Sequence, residues 1–206
     1  RRVLFRSYDG YKGRVMFPIQ NLSGRTIGFG GRTLKADKNI PKYINSPESP
    51  IYDKSNSLYG LYFAKGAISK EDNCYLVEGY TDVLSFHQKQ IENTVASSGT
   101  ALTKDQVKLI SRYTQNITLV YDGDKAGIKA SMRGIDLILE QGMHVKVIML
   151  PDGHDPDSFS KEHDKMEVRE YLEASARDFI GFKADLLMEE AKGDPIKTND
   201  VIHAMV

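Results

Sequence analysis

C-Y-L-V-E-G-Y-T-D, from Cys74 to Asp82, decides the fold. Cys74 to Val77 is a short apolar run bounded by Gly79, and such a run reads as a buried strand. Glu78 therefore stands where that strand ends. Two later runs end the same way. Ile117 to Tyr121 enters Asp122-Gly123-Asp124, and Val145 to Leu150 enters Pro151-Asp152-Gly153-His154-Asp155-Pro156-Asp157. In an open parallel sheet the strand ends at one edge lie side by side, and ligands bind in the crevice outside them. The three acidic turns are expected to converge on one site.

Working outward, strands and helices alternate. Val83 to Gln90 reads as a short helix and Thr94 to Ser97 as a strand. Thr103 to Arg112 reads as a helix capped by Thr103, and Lys125 to Gln141 as a helix stopped by Gly142. Alternation of this kind implies crossover units and a mostly parallel sheet flanked by helices, an α/β arrangement. The chain ahead of it differs. Arg14 to Gln20 and Arg25 to Leu34 are strand-like runs joined by the turn-forming Asn21-Leu22-Ser23-Gly24, so a hairpin is expected. Gly30 and Gly31, in or beside its second strand, suggest close backbone approach or a bulge. Pro41 to Tyr59 reads as an ordered loop offering polar side chains. After Asp157, Val168, Tyr171, Leu172, Phe179, Phe182, Leu186 and Leu187 recur at helical spacing. The whole is mixed α+β: a small β-rich region over 1–62, a parallel-sheet region over 63–160 and the start of a helical subdomain over 161–206.

A chain of 206 residues can bury a real core. Its 28 basic and 28 acidic residues balance, so the overall field gives no reason for tight non-specific DNA binding. The distribution is uneven: residues 1–42 hold ten Lys or Arg against Asp9 and Asp37. Cys74 is the only cysteine, which excludes an intrachain disulfide and a cysteine-built zinc site within this stretch and suggests a reducing, cytoplasmic setting. No apolar run reaches the roughly 18 residues of a membrane helix, and no membrane association is expected. The chain opens without Met and closes at Val206 inside a helical pattern, as a piece of a longer protein would.

Gathering carboxylates in one crevice is costly unless cations bind there. Oxygen ligands favour Mg²⁺ or Mn²⁺, and two such ions serve phosphoryl transfer. Taken singly, each acidic turn is an ordinary use of Asp and Gly; three at successive strand ends are not. Asp122 to Gly127 also begins like a calcium loop, but Ala126 and Arg133 occupy ligand positions, the latter where a bidentate Glu is required. An aspartyl-phosphate phosphatase would begin from Asp-x-Asp but would not call for Glu78.

V-E-G-Y-T-D (Val77 to Asp82), Y-D-G-D-K-A-G (Tyr121 to Gly127) and D-P-D-S (Asp155 to Ser158) resemble the Toprim signature. Ahead of and between them, V-M-F-P-I (Val15 to Ile19), G-R-T-I-G-F-G-G-R (Gly24 to Arg32), P-K-Y-I-N-S-P-E-S (Pro41 to Ser49), L-Y-G-L (Leu58 to Leu61) and S-G-T-A-L-T (Ser98 to Thr103) resemble the RNA-polymerase core of DnaG-type bacterial primases. The similarity covers roughly residues 12–160. It makes 1–62 the C-terminal part of the basic N-terminal subdomain, and 63–160 a Toprim domain.

The resemblance implies a metal site of Glu78, Asp82, Asp122, Asp124, Asp155 and Asp157 for two or more Mg²⁺ or Mn²⁺ ions, with Glu78, Asp122 and Asp124 catalytic. Arg32, Lys42, Asn45 and Lys54 match positions implicated in holding nucleotide or template, in keeping with the grip of fixed cations on phosphate. It further implies template-directed joining of ribonucleoside triphosphates into an RNA primer on single-stranded DNA at a bacterial replication fork. Gly99 and Thr100 could offer N–H groups to a phosphate, or form a plain helix-entry turn. His154, Asp53, Ser55 and Asn56 depart from the family's usual residues. Such primases usually add a zinc module and a carboxy-terminal domain that binds the replicative helicase; neither is in these 206 residues. Two rivals remain: a metal-dependent nuclease, and a non-catalytic nucleic-acid-binding module, which would be expected to lack the acids.

Overall fold

The computed structural model describes residues 9–37, 39–99, 101–122 and 134–190. Arg1 to Ser7, Thr100 and Asp124 lie outside the described residues, as do the side chains of Leu186 and Leu187. The expected helix from Lys125 is described only over 134–140.

The hairpin forms as the turn residues dictate. Asn21 Oδ1 accepts from the N–H groups of Ser23 and Arg25, closing the reversal between β1 (Arg14–Gln20) and β2 (Thr26–Thr33). A third strand, β3 (Tyr43–Asn45), pairs antiparallel with β2 inside the segment read as a loop. Three residues are too few for a periodic signal, and the preceding Pro41 masks it. The same segment holds a 3₁₀ turn at Lys54–Asn56, opened by the side chain of Asp53.

Helix α1 (Leu61–Glu71) then leads into β4 (Cys74–Val77). There follow α2 (Tyr80–Gln88), β5 (Thr94–Ala96), α3 (Lys104–Ile110), β6 (Asn116–Tyr121), α4 (134–140) and β7 (His144–Met149). Then come α5 (Pro156–Glu162), α6 (Lys165–Ser175), the two-residue β8 (Arg177–Asp178) and α7 (Phe179–Glu190). The second sheet has the order β5-β4-β6-β7-β8. Its first four strands run parallel, and β8 closes the edge antiparallel to β7.

Alternation along each strand sorts side chains to two apolar layers. Leu76, Leu119 and Val147 face one layer with Leu61 and Ile68 of α1, Val107 and Ile110 of α3, and Ile135 and Ile138 of α4. Val77, Val120 and Ile148 face the other with Phe86 of α2, Phe159 of α5, and Val168 and Leu172 of α6. Phe179 and Phe182 join the first layer, so α6 and α7 pack on opposite faces of the sheet. Among the described residues no helix is long and apolar enough to cross a membrane.

The small sheet docks on the second layer through an aromatic cluster. Tyr80, buried at the first turn of α2, stacks on Phe17 of β1 at 5.0 Å and meets Tyr59 edge-on at 4.7 Å. The glycines of β2 make this approach possible. A Cβ on Gly30 would lie 2.5 Å from the Tyr80 ring, one on Gly31 2.7 Å from Tyr11, and one on Gly28 3.1 Å from Tyr52. Backbone pairing of Tyr59 with Ala96 adds a second junction.

Gly30→Ala is therefore expected to destabilise the chain by about 1–3 kcal/mol through overpacking. Gly66→Ala, inside α1 with nothing within 4 Å of the new Cβ, is expected to stabilise it by about 0.5–1 kcal/mol. Urea unfolding of both variants checks the pair; equal effects would place Tyr80 away from the hairpin.

Candidate active site

The parallel register sets the site. β6 lies between β4 and β7, so Glu78, Asp122 and the turn after Leu150 follow three neighbouring strands at the same edge. Leu150 N–H donates to Tyr121 O at 3.1 Å and Ser98 N–H to Glu78 O at 3.1 Å, which ties the emerging loops together. Beyond the edge lies a cleft of about 260 Å³ lined by Lys42, Tyr43 and Asn45 from the small sheet and by Glu78, Asp82, Asp122 and Asp155 from the large one. Tyr80, Thr81, Ser98 and Gly99 complete the wall with Gly79.

Helix α2 begins three residues earlier than its sequence pattern suggests. Gly79, in extended conformation, is its cap, and the Asp82 carboxylate accepts the Gly79 N–H at 2.8 Å. The cap thereby turns Asp82 inward, where it is only 7% exposed. Burial pushes its carboxyl up to about 7; the Gly79 hydrogen bond opposes this, while Asp155, Asp122 and Asp157 reinforce it. Asp155 caps α5 through Ser158 N–H at 2.7 Å. Asp157 does not line the cleft. It accepts from Ser85 Oγ at 2.6 Å and from Lys161 Nζ at 2.7 Å. Burial alone would raise its carboxyl, but Lys161 and Ser85, with Arg32 nearby, hold it below the usual carboxylate range.

The expected cations divide. Lys42 lines the cleft, and its ammonium lies 6.0 Å from the Tyr43 ring. The Arg32 guanidinium is 5.6 Å from the same ring, with Asp157 within its field. Lys54 is not among the lining residues: its N–H meets the Glu48 carboxylate at 3.2 Å, and its carbonyl accepts from the buried Gln106 at 3.1 Å. Asn45 reaches the cleft but bonds within the protein, to Tyr80 and to Ser98. His154, which departs from the family pattern, is 3.9 Å from the Glu162 carboxylate and edge-on to Phe159. Tyr43 and Tyr80 also line the cleft, beyond the residues expected from sequence. Their signal lay in P-K-Y-I-N and E-G-Y-T-D, aromatic residues flanked by the expected polar positions.

Burial, reinforced by the field of three neighbouring carboxylates, raises Asp82 to about 7, and a cleft with hard oxygen donors of this kind suits a divalent cation such as Mg²⁺ or Mn²⁺. Among the described residues no three His, Cys, Asp or Glu side chains are drawn close enough to hold an ion by themselves. Asp124 is outside that set.

The Asp82 shift has a measurable sign. Its folded-state value of about 7 lies above the ordinary 3.8, so the folded chain holds this proton more tightly than the unfolded one. The resulting stability is full below about pH 4 and lost as pH rises through about 7. In chelator-treated protein, the wild-type chain is expected to lose stability relative to Asp82→Asn over that window, by at most roughly 1.4 kcal/mol per pH unit. Denaturant titrations across pH check it; a pH-independent difference would mean that Asp82 ionises freely.

Comparison with known proteins agrees with this geometry. Residues 75–160 match the Toprim-like family model, and residues 3–65 match the model of the N-terminal domain of the DNA primase catalytic core. The DNA primase of Clostridium acetobutylicum is 50% identical over 159 residues, covering 77% of this chain and 26% of that protein. A DNA primase domain from Pseudomonas aeruginosa superposes with a TM-score of 0.84 at 37% identity, covering 96% of this chain and 62% of that one. A DnaG primase catalytic domain bound to single-stranded DNA does so with a TM-score of 0.83 at 38% identity, covering 95% and 64%. With two family models following one another along the two sheets and primase cores sharing both, the chain belongs to the DnaG-type DNA primases, as a stretch of their Toprim-containing catalytic core.

Proposed function

We propose that this chain carries the nucleotide-joining site of a primase, which makes short RNA primers on single-stranded DNA from ribonucleoside triphosphates. The observation that carries the reading is the convergence of Glu78, Asp122 and Asp155 at one sheet edge, facing Lys42 across a single cleft. The DNA-bound relative supports a DNA template. The division at 1–62, 63–160 and 161–206 draws support at its second boundary from the family match that ends at 160, while the first match, over 3–65, runs slightly past residue 62.

Glu78 and Asp122, with Asp82 and Asp155 in the same cleft and with Asp124 of the same motif as Asp122, would hold Mg²⁺ or Mn²⁺, which when bound supplies positive charge for nucleotidyl transfer. Asp157 serves from outside the cleft, anchoring α5 to α2 through Ser85. Lys42 and Arg32, held beside the Tyr43 face, offset triphosphate charge and orient it toward the acids. Lys54, whose main chain is held by Gln106 and Glu48 outside the lining of the cleft, is assigned to the template rather than to the reacting phosphates. In the reaction a primer 3′-hydroxyl oxygen forms a bond to the α-phosphorus and releases its proton to solvent, the bond from that phosphorus to the bridging oxygen breaks, and pyrophosphate leaves. No side chain becomes covalently modified. Coupling to the replicative helicase and site choice through a zinc module belong to other parts of a full-length primase, working in the bacterial cytoplasm.

A gel assay with single-stranded DNA, labelled ribonucleotides and Mn²⁺ tests this. RNA is expected from the unmodified chain and, after Asp122→Asn, a loss of about 10²-fold or more. Lys42→Ala is expected to raise the nucleotide KM more than it lowers kcat. Metal-dependent cutting of the DNA without RNA synthesis would instead make the site a nuclease.

A further inference from the structure

Asn45 ends β3, and the two ends of its amide bind two different loops. Tyr80 Oη donates to Asn45 Oδ1 at 2.8 Å, and Asn45 Nδ2 donates to Ser98 O at 3.1 Å. A carbonyl oxygen can only accept, which fixes the amide's orientation. Ser98 N–H in turn donates to Glu78 O at 3.1 Å. One continuous path of hydrogen bonds therefore runs from the first turn of α2, through the small sheet and the loop after β5, back to the main chain of Glu78.

Each end of the path is braced differently. Tyr80 is 2% exposed and wedged between Phe17 and Tyr59, so its hydroxyl has a fixed position. Ser98 has φ 56, a left-handed conformation that is unfavourable for a residue with a Cβ. Gly99 follows it at φ 85. Two successive left-handed residues do not hold their shape unaided, and the Ser98 main chain is held by its N–H bond to Glu78 and the bond that its carbonyl accepts from Asn45. The bonds to Tyr80 and Ser98 together use two of the four hydrogen-bonding positions of the Asn45 amide. That use is distinct from gripping a nucleotide.

We propose that Asn45 is a positioning residue for Glu78: by tying β3 and Tyr80 to the loop after β5, it fixes where the Glu78 main chain stands at the rim of the cleft. The proposal rests on the cleft being a divalent-ion site for nucleotidyl transfer. It assigns Asn45 to the placement of an acid, through Ser98, and not to the incoming nucleotide. The small sheet, through β3, thereby shapes the acidic edge of a sheet to which it contributes no strand.

The test is Mn²⁺ binding by the 206-residue chain, read by electron paramagnetic resonance without nucleotide or turnover. Tyr80→Phe removes one hydroxyl and keeps the ring stack, and Asn45→Ala removes both amide contacts. Each is expected to weaken Mn²⁺ binding by about tenfold or more, the effect of losing a group that orients a metal ligand. Nucleotide affinity at saturating Mn²⁺ should be retained. Mn²⁺ affinity unchanged in both variants, with or without a lower thermal midpoint, would overturn the proposal and leave the cleft reading standing. Intact Mn²⁺ binding with lost nucleotide affinity in Asn45→Ala alone would assign Asn45 to the nucleotide and overturn it as well. No Mn²⁺ binding by the unmodified chain would overturn the cleft reading and the proposal together.

Discussion

The parallel pairing of β6 with β4 on one side and β7 on the other governs everything at the site. Parallel strands must end at the same edge, and a turn that follows each strand delivers its acid there. The arrangement is electrostatically expensive. Asp82 shows the cost most clearly, because burial and three neighbouring carboxylates all favour its protonated form. The fold relieves part of the strain locally, with Lys161 on Asp157 and a backbone N–H on Asp82, and leaves the remainder at the cleft. Such a remainder is what a bound divalent cation would neutralise.

The small sheet supplies what the large one lacks. Lys42, just ahead of β3, lines the cleft beside an acidic edge to which the small sheet's strands contribute no carboxylate, and the join is made by rings rather than by charge. Three glycines in β2 each stand where a side chain would collide with a tyrosine. Tyr80 unites the two halves: its ring fills the space over Gly30, its backbone starts α2, and its hydroxyl holds Asn45. Removing charge at the rim changes what the cleft attracts, whereas changing Gly30 or Tyr80 changes whether the two sheets meet.

Much of this was legible in the residues. Apolar runs ending in acids marked β4, β6 and β7, and the glycines of G-F-G-G announced a close approach, although not the partner rings, which come from distant segments. Helix α1 went unread because Leu61, Ala64 and Ile68 form a thin stripe beside the exposed Phe63. β3 and β8 are too short to carry a period and exist through pairing with β2 and β7. Helix α2 began earlier than its apolar pattern because the cap, Gly79 with Asp82, is polar. At the site, spacing could show which acids stand near the edge but not where each carboxylate turns. Asp157 shares its motif with Asp155, yet α5 carries it toward Ser85 and Lys161. Lys54 likewise matches a family position while its turn is pinned by Gln106, a contact across 52 residues that no local pattern reveals.

The central claim is that strand-end acids from three neighbouring strands form one cation site. Anomalous diffraction from crystals soaked in Mn²⁺ and a ribonucleoside triphosphate tests it most directly. The account requires a Mn²⁺ peak in the cleft at bonding distance, about 2–2.5 Å, from carboxylate oxygens of Glu78 and Asp122, with the triphosphate on the Lys42 side. Mn²⁺ confined to other surface carboxylates, with an ordered nucleotide elsewhere, would contradict it.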